Sequence, residues 1–389
     1  MDNKTITEKY LELKKMSGSH SPSINSIKEE IPELKINVDA CFLSNPYATK
    51  LFLEHFKREM IDTNEIYSVL EFYPSQNKKI ANYVEKQLDI EAGHVFICNG
   101  AIEAIQAVIH RYSKGKIMVI LPTFSSYYEY ATNETEVVYY YLDKKDNFKL
   151  DIDDYISKVN KIKPNTIILI NPNNPDGGYI SYNELKKIIT ELNWVENIII
   201  DESFIHFAYE DDELTMKSIV NEVIDKDNVI IIKSMSKDFG IAGLRCGYAV
   251  MSKNRVEDLL SNGYLWNSNG IAEYFFQLYS RKDFLLSYDI VRKKYINESK
   301  VFFDRLLELE NIKIYPSRAN FVLIELLNGL VADDVSTQLL CDYGVYVRNC
   351  NDKIGLNGEY LRVAARSKYE NNLILKALEN VIQNSKKNI

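Results

Sequence analysis

Paired cysteines, membrane-length apolar runs and an excess of positive charge are all absent from this sequence of 389 residues. None of its five cysteines forms a C-x-x-C pair, the spacing typical of redox and zinc motifs. Reduced thiols are the simplest explanation, and we expect no metal site. No run approaches the roughly 20 apolar residues of a membrane span, and the start, MDNKTITEKY, lacks the apolar core of a signal sequence. We therefore expect a cytoplasmic protein without a membrane segment.

The charge balance argues against a further class of protein. Lysine and arginine number 47 and aspartate and glutamate 55, for a formal net charge of −8, whereas nucleic-acid-binding proteins usually present a basic surface. We expect no nucleic-acid partner, although a local basic pocket for an anionic small molecule is compatible with this charge. The chain is long enough for two or three domains' worth of core, and its 46% hydrophobic content is ordinary for a globular protein.

Short apolar runs alternate with helical patterns between about residues 92 and 250. Runs such as KIMVIL, NTIILI and NIIID are typical of buried strands, and their alternation with helices predicts a largely parallel sheet covered on both faces. The C-terminal part predicts long helices followed by short strands, which is typical of a smaller α+β domain. We expect an N-terminal arm (1–40), mobile or wrapping, that contributes to this small domain, then a large domain (41–275) and the small domain itself (276–389).

The stretch KSMSKDFGIAGLRCGY (233–248) lies between the apolar run NVIII and a second short strand. Hydroxyl and cationic side chains on such a loop, at the end of a strand, can converge on one small anion. Ser234, Ser236 and Arg245 are suitable phosphate donors, and a guanidinium can bind with two parallel hydrogen bonds. Lys237 has no part in that assignment and is a candidate for separate chemistry. Alone, S-x-S-K is a short motif of common residues that also occurs by chance.

Other strand ends carry polar or aromatic residues as well. CNGAIEAI places Gly100 and Ala101 where a strand passes into a helix, and the free amides at a helix N-terminus attract anions. Phe124 follows another strand, and NPNNPDGG (171–178) follows a third; by itself the latter predicts only a turn-rich loop. Asp201 ends a buried strand, where a carboxylate is costly unless it is paired.

These groups together fit one kind of ligand. An anion seat suits a phosphate, an aromatic wall suits a flat ring, and a lysine suits an aldehyde. Pyridoxal 5′-phosphate combines all three features, because it needs a lysine for its Schiff base and an acid opposite its ring nitrogen. The sequence therefore predicts a pyridoxal-phosphate site at the ends of these strands.

The ordered series Gly-Ala…Phe…NPNNP…D-E-x-F…S-x-S-K-x-F-G-x-A-G-L-R-x-G-Y resembles the class I/II aminotransferase superfamily, the fold type I pyridoxal-phosphate enzymes, from about Asn45 onward. The resemblance implies an α/β fold with a mostly parallel sheet in a large domain and a smaller α+β domain. It implies that Lys237 forms the Schiff base, that Asp201 pairs with the ring nitrogen and that Asn174 bonds to the ring hydroxyl. It further implies a stacking ring, Phe124, and a set of groups around the phosphate: Gly100, Ala101, Ile102, Ser234, Ser236, Arg245 and Tyr73.

Tyr73, in FYPS, resembles the tyrosine with which such enzymes reach the cofactor phosphate of a neighbouring subunit, so a homodimer is implied. Two positions depart from the family pattern. Phe204 stands where many members have a tyrosine beside the ring hydroxyl, so that contact is expected to be absent. Asp176 replaces the usual threonine of N-P-T-G, and the sequence assigns no effect to this change.

The reaction type depends on where the anionic groups of the substrate are held, because the Cα bond perpendicular to the cofactor ring is the one that breaks. Arg362 and Arg366, in YLRVAARS, project from the same face if one strand runs through both. Arg348 lies on the preceding strand. Three arginines suit a substrate with both a carboxylate and a phosphate dianion, although one or two of them can instead form salt bridges at the surface.

The C-terminal stretch VRNC…GL…RVAARS…EN is similar to the histidinol-phosphate aminotransferases and more closely to the threonine-phosphate decarboxylases. SGSHS sits where those decarboxylases have a His-Gly segment near the substrate phosphate, which makes His20 a substrate-binding candidate. Asn45 is another, although Ala48 replaces the expected glycine. The resemblance implies a lyase that decarboxylates an O-phospho-L-amino acid, L-serine phosphate or L-threonine phosphate, with serine phosphate favoured. The alternative is an aminotransferase acting on a phosphorylated amine or amino acid.

Overall fold

The structure is a computed structural model that describes residues 3–17 and 21–385. The chain separates into two compact units. The large unit comprises Ser44–Asn173 and Gly178–Lys294. The small unit comprises the residues up to Leu43, the short segment Asn174–Gly177 and the residues from Tyr295 onward. The small unit thus draws on both ends of the chain and on one internal segment.

Strands and helices alternate along most of the chain. The described strands, in chain order, are β1 (Val38–Ala40), β2 (Val95–Asn99), β3 (Gly115–Leu121), β4 (Thr135–Tyr141), β5 (Thr166–Ile170), β6 (Asn197–Asp201), β7 (Val229–Ser234), β8 (Cys246–Val250), β9 (Ile312–Ile314), β10 (Phe321–Leu326), β11 (Val345–Asn349) and β12 (Glu359–Ala364). The described α-helices are α1 (Asn3–Met16), α2 (Ile24–Glu30), α3 (Pro46–Phe56), α4 (Glu65–Glu71), α5 (Asn77–Leu88), α6 (Ala101–Tyr112), α7 (Ser126–Glu129), α8 (Ile152–Ile162), α9 (Tyr182–Glu191), α10 (Val220–Val223), α11 (Lys253–Ser261), α12 (Gly270–Tyr279), α13 (Lys282–Leu306), α14 (Ala332–Tyr343) and α15 (Lys368–Ser385). Among these residues, none of the helices has the length and apolar character needed to cross a membrane.

The large unit contains a seven-stranded sheet in the order β2-β8-β7-β6-β5-β3-β4. The neighbours from β4 through β3, β5 and β6 to β7 pair in parallel. Strand β8 pairs antiparallel with both of its neighbours, β2 and β7, so it alone runs against the rest. The predicted, mostly parallel sheet is therefore confirmed. Because β8 is reversed, it begins at the edge of the sheet where β2, β6 and β7 end.

Helix α6 shows how the sequence fixes the position of an element at this edge. Its residues Ala101, Ala104, Ile105 and Val108 recur at spacings of three, one and three, which places them on one face of a helix. All four are buried in a cluster with sheet residues such as Phe96. Full burial of a side chain such as Ile105 contributes roughly 1.5–3 kcal/mol. This packing holds the N-terminus of α6 beside the end of β2.

The small unit contains a five-stranded sheet in the order β1-β11-β12-β10-β9. Strand β1 pairs in parallel with β11, and the other neighbours pair antiparallel. The predicted α+β character of this part of the chain is therefore confirmed. Arg348 on β11 and Arg362 on β12 are direct register partners, so two arginines lie side by side on adjacent strands.

The N-terminal segment of the small unit is more ordered than its polar composition predicts. A mobile or wrapping arm is expected there, whereas the structure shows helices α1 and α2 followed by strand β1. Ile6 and Tyr10 of α1 are buried in a cluster with Ile27, Leu340 and Tyr346. The helical spacing of the few apolar residues of α1 explains the difference, since Tyr10 follows Ile6 by four positions and lies on the same face of the helix.

Candidate active site

Four of the predicted cofactor residues lie at one edge of the large sheet. Asp201 is the last residue of β6 and Ser234 is the last residue of β7. Gly100 directly follows β2, and Arg245 directly precedes the reversed strand β8. In open α/β sheets, ligands bind at the carboxyl ends of the parallel strands. The topology therefore brings these residues to the edge where a ligand is expected.

Asp201 is a buried carboxylate with two hydrogen-bond donors. The hydroxyl of Tyr127 donates to Oδ2 at 2.8 Å, and the backbone amide of Ser203 donates to Oδ1 at 2.8 Å. Burial raises the pKa of Asp201, while these two residues and the charge of Lys233 oppose the rise. A cationic partner would favour the ionised form further, as a protonated ring nitrogen does.

Arg245 lies against the N-terminus of α6. A Cβ atom added at Gly100 would meet Nη2 of Arg245 at 2.4 Å, so the guanidinium can approach this turn only because residue 100 is glycine. Gly100 itself has φ of +79°, a conformation that other residues rarely adopt. The first-turn residues Ala101 and Ile102 follow without a side-chain cap on the helix.

This arrangement fits the phosphate group of the predicted cofactor. The exposed guanidinium of Arg245 and the N-terminus of α6 are both positive, because a helix carries roughly half a positive charge at that end. An anion bound between these two positive groups would offset their mutual repulsion. Amides at a helix N-terminus together with an arginine provide the donors that bind a phosphate.

The loop that carries Lys237 is held firmly by its backbone. The amide of Asn45 donates to the carbonyl oxygen of Lys237 at 2.9 Å, and the hydroxyl of Thr49 donates to that of Gly240 at 2.7 Å. Gly240 has φ of +63°, and a Cβ atom there would lie 2.2 Å from Oγ1 of Thr49. Ser236 is buried, and its amide donates to Oγ of Ser234 at 3.3 Å. Both predicted serine donors are thus adjacent in the folded loop.

Asn45, predicted to contact substrate, is buried at the start of α3. Its Oδ1 accepts from the amides of Tyr47 at 3.0 Å and Ala48 at 3.3 Å and so caps the helix. Its Nδ2 is buried and has no hydrogen-bond partner among the described residues. A buried amide nitrogen without an acceptor is costly, which is consistent with an acceptor supplied by a ligand.

Phe124 and Tyr73 differ in their surroundings. Phe124 is half-buried and packs against the core of the large unit. It follows the end of β3, as its sequence position predicted. Tyr73 is 92% exposed. Its ring stacks on Trp266, with centroids 6.3 Å apart and planes at 23°. Tyr73 therefore presents its aromatic ring to the outside of the described chain.

Arg362 of the small unit contacts the predicted cofactor residue Asn174. Its Nη1 donates to Oδ1 of Asn174 at 2.7 Å, and its Nη2 donates to the carbonyl oxygen of Cys41 at 2.7 Å. Nε of Arg362 is buried and has no hydrogen-bond partner within residues 3–17 and 21–385. Burial lowers the pKa of Arg362. A half-buried guanidinium whose hydrogen-bond acceptors are uncharged is a suitable site for an external anion.

Arg348, in contrast, has a carboxylate partner. Its Nη2 lies 2.8 and 2.7 Å from the two carboxylate oxygens of Asp352, and its Nη1 donates to the carbonyl oxygen of Asn349. Nζ of Lys353 lies 3.3 Å from the same carboxylate. Arg348 therefore forms a salt bridge in this structure, the alternative that its sequence context left open.

Arg366 does not share a strand with Arg362. Strand β12 ends at Ala364, so the condition under which both arginines would project from the same face, one strand running through both, is not met. Nε of Arg366 lies 3.6 Å from Oε1 of Glu370, and its amide donates to Oδ1 of Asn371 at 2.7 Å. The turn that leads into α15 therefore orients Arg366, because the chain leaves the sheet before it reaches this residue.

His20 lies outside the described residues. Phe204 and Asp176, the two departures from the family pattern, are both buried.

Three buried residues at the sheet edge are missing from those predicted by sequence. Tyr127 is one of 27 tyrosines, and no motif distinguishes it. Ser203 stands inside the D-E-x-F motif, where its position next to two acids is a usable signal. Lys233 ends an apolar run, and a lysine at such a position is informative because a buried cation requires a partner.

Comparisons with known proteins agree on one family. Residues 39–380 match the family model described as aminotransferase class I and II. An L-serine phosphate decarboxylase from Campylobacter jejuni is 54% identical over 380 residues, which cover 98% of this chain and 97% of the relative. An L-serine phosphate decarboxylase from Sulfurospirillum multivorans is 45% identical over 384 residues, which cover 99% and 98%. The solved structure of a decarboxylase from Sulfurospirillum multivorans superposes with a TM-score of 0.94 at 45% identity and covers 98% of this chain and 97% of that one.

Proposed function

The chain belongs to the class I and II aminotransferase family, whose enzymes depend on pyridoxal 5′-phosphate, and we propose that it decarboxylates L-serine phosphate. The products are ethanolamine phosphate and carbon dioxide, since a proton replaces the carboxylate at Cα and no keto acid is consumed. The observation that carries the proposal is the similarity over nearly the whole chain to two L-serine phosphate decarboxylases.

The edge of the large sheet holds the cofactor in this proposal. Arg245, Ser234, Ser236 and the first amides of α6 would bind its phosphate. Asp201 would keep a proton on the ring nitrogen, and Lys237 would hold the aldehyde group. When bound, the cofactor supplies an electron sink for the pair that the departing carboxylate leaves at Cα. Lys237 is also the proposed donor of the proton that replaces the carboxylate.

We assign the anionic groups of the substrate to Arg348, Arg362 and Arg366. Arg362 is assigned to the α-carboxylate because it contacts Asn174, the residue expected at the ring hydroxyl, and has uncharged acceptors. Arg348 and Arg366 are assigned to the phosphate. A phosphate dianion carries more charge than the carboxylates that now face these two arginines, and it can replace them as partner.

The phosphate is the group that selects the reaction. Its binding far from Cα orients the substrate so that the bond to the carboxylate, rather than the bond to hydrogen, can break. Binding energy from a remote group is then used to raise the rate as well as the affinity. We therefore expect free L-serine, which lacks the phosphate, to be a very poor substrate.

Release of carbon dioxide from L-serine phosphate without any keto acid is the decisive measurement. The purified protein is loaded with pyridoxal 5′-phosphate and incubated with L-serine phosphate, L-threonine phosphate or L-serine. We expect carbon dioxide and ethanolamine phosphate from the first, in equal amounts and over many turnovers. If turnover instead stops until 2-oxoglutarate is added, and the cofactor accumulates as pyridoxamine phosphate, the protein is an aminotransferase and the proposal is wrong.

A homodimer is proposed as the active unit. Tyr73 is exposed, and so are Tyr67 and Phe72 near it in sequence, at 69% and 64%. Clustered exposed aromatic residues are typical of interaction surfaces, and Tyr73 resembles a residue that completes the site of a second subunit. Sedimentation velocity of the loaded protein is expected to give twice the mass of the chain. A fully active monomer would contradict the proposal.

A cytoplasmic location is also proposed. All five cysteines are free and four of them are buried, which is the usual condition of thiols in a reducing compartment. Recovery of the protein from the membrane or extracellular fraction of cells would be evidence against this location.

A further inference from the structure

A buried ion pair brackets the loop that carries Lys237. The side chains of Lys233, on β7, and of Asp238 are 2% and 0% exposed. Nζ of Lys233 lies 2.5 Å from Oδ2 of Asp238. Ser234, Ser236 and Lys237 stand between these two residues in the sequence. The ion pair therefore closes a short loop that contains three residues of the proposed cofactor site.

A second contact fixes the carboxylate of Asp238. Nδ1 of His206 lies 3.3 Å from Oδ2 of Asp238 and 2.9 Å from the hydroxyl oxygen of Tyr288. Burial lowers the pKa of His206 well below its ordinary value, and the charge of Lys233 lowers it further. His206 is therefore neutral near pH 7, and Lys233 provides the positive charge that Asp238 requires.

The residue after Asp238 is held equally firmly. The ring of Phe239 stacks on Tyr288, with centroids 4.0 Å apart and planes at 21°. Phe239 also packs against Phe275 and Tyr279, with centroids 5.2 and 5.5 Å away. The chain directly after Lys237 is thus anchored by an ion pair and then by an aromatic cluster.

Lys233 also acts on the acids at the end of β6. Burial raises the pKa values of Asp201, Glu202 and Asp238, and the charge of Lys233 opposes the rise for each of them. One buried cation thus faces the carboxylate expected at the cofactor ring as well as its own partner.

We propose that Lys233 and Asp238 form an ion-pair clasp that positions Lys237 and the phosphate donors of its loop. This inference rests on the proposed function, because it takes Lys237 as the residue that binds the cofactor. Both members of the clasp are positioning residues: Asp238 acts through the loop, and Lys233 acts through the loop and through its charge on Asp201. A buried ion pair adds little to stability compared with a well-packed neutral pair, so its role in the geometry of the site can be separated from its role in folding.

The test compares Lys233→Met, Asp238→Asn and the double variant. Each single change leaves one buried charge without its partner, and the melting temperature of the apoprotein is expected to fall by on the order of 5–10 °C. The double variant removes both charges of the pair and is expected to melt within about 2 °C of the unmodified protein. It therefore folds even if one of the single variants does not.

The measurements that test the ion-pair clasp are the affinity for the cofactor and the circular dichroism of the bound cofactor. In all three variants the dissociation constant for pyridoxal 5′-phosphate is expected to rise about tenfold or more, and the visible circular dichroism of the bound cofactor is expected to weaken. The turnover number falls, while KM for L-serine phosphate stays within about twofold. If the double variant regains normal cofactor affinity together with its melting temperature, the pair serves only folding and the proposal is overturned.

Glu85→Gln is the matched control. Glu85 is a buried carboxylate of the large unit that accepts from the backbone amides of Gly93, His94 and Val95 at 2.7, 3.0 and 3.1 Å. These residues lie at the amino end of β2, the opposite edge of the sheet from Lys237. The control is expected to lower the melting temperature and leave the affinity for the cofactor unchanged.

Failure of the clasp and failure of the proposed function give different results. Borohydride reduction of the loaded, unmodified protein followed by peptide mapping shows which lysine carries the cofactor. A label on Lys237 combined with normal cofactor binding in the variants overturns the clasp alone. A label on another lysine overturns the assignment of Lys237, and the clasp with it.

Discussion

Replacement of Lys237 by alanine is expected to lower the decarboxylation rate on the order of 10³-fold or more. The change removes the amine that links covalently to the cofactor and the proposed donor of the proton to Cα. The fold is expected to stay intact, because the loop is held by the backbone contact of Asn45 and by the ion pair of Lys233 and Asp238. The residues proposed to bind the cofactor phosphate are unchanged, so the cofactor is still expected to bind, but without a covalent link.

The measurement combines single-turnover kinetics with reduction by borohydride and mass mapping. In the unmodified protein the reduced cofactor is expected on the peptide that contains Lys237, and in the alanine variant on no peptide. Lys86→Ala is the control, because Lys86 is an exposed lysine of α5, and it is expected to leave both results unchanged. Turnover of the Lys237→Ala variant within tenfold of normal would show that the amine has neither role.

The cofactor side of the site was predictable because it depends on where strands end. Asp201 and Ser234 each close a run of β-branched residues, and such runs in an α/β chain predict parallel strands whose ends meet at one edge. Local sequence thus predicts the positions of these residues at the sheet edge. Tyr127 is different, since its contact with Asp201 spans 74 residues of sequence and has no local signal.

The substrate side was less predictable because it depends on where strands stop and on which charges meet. The sequence YLRVAARS allows a strand through both Arg362 and Arg366, but the structure ends that strand at Ala364. Arg348 is also an arginine and lies next to Arg362 on the adjacent strand, yet it forms an ion pair with Asp352. Ion pairs form between side chains that the fold brings together, and the composition of a single strand does not reveal them.

Under the proposed function, the difference between Arg348 and Arg362 predicts that they bind different anionic groups of the substrate. A guanidinium that already has a carboxylate partner exchanges it only for an anion of higher charge, such as a phosphate dianion. A guanidinium whose acceptors are uncharged can bind a single carboxylate. The two anionic groups of L-serine phosphate are therefore expected on different arginines, so their contributions can be measured separately.

Arg362→Gln is expected to lower kcat/KM for L-serine phosphate about 30- to 5,000-fold, which corresponds to a loss of roughly 2–5 kcal/mol of transition-state stabilisation. Glutamine keeps a donor near Asn174 but removes the charge that binds the α-carboxylate. Ethanolamine phosphate, the proposed product, carries the phosphate but no carboxylate. Its binding therefore probes the phosphate contacts alone. Its inhibition constant is expected to stay within about twofold in Arg362→Gln and to rise in Arg366→Gln.

Two further variants make the assignment of Arg362 specific. Arg362→Lys restores the charge without the two-pronged geometry, so only part of the activity is expected to return. Arg305→Gln removes an exposed arginine that donates to Asn372 at 2.5 Å and is expected to leave both constants unchanged. If Arg362→Gln weakens the product and the substrate equally, then Arg362 binds the phosphate. The orientation of the carboxylate must in that case come from Arg348 or Arg366, which have acidic partners in this structure.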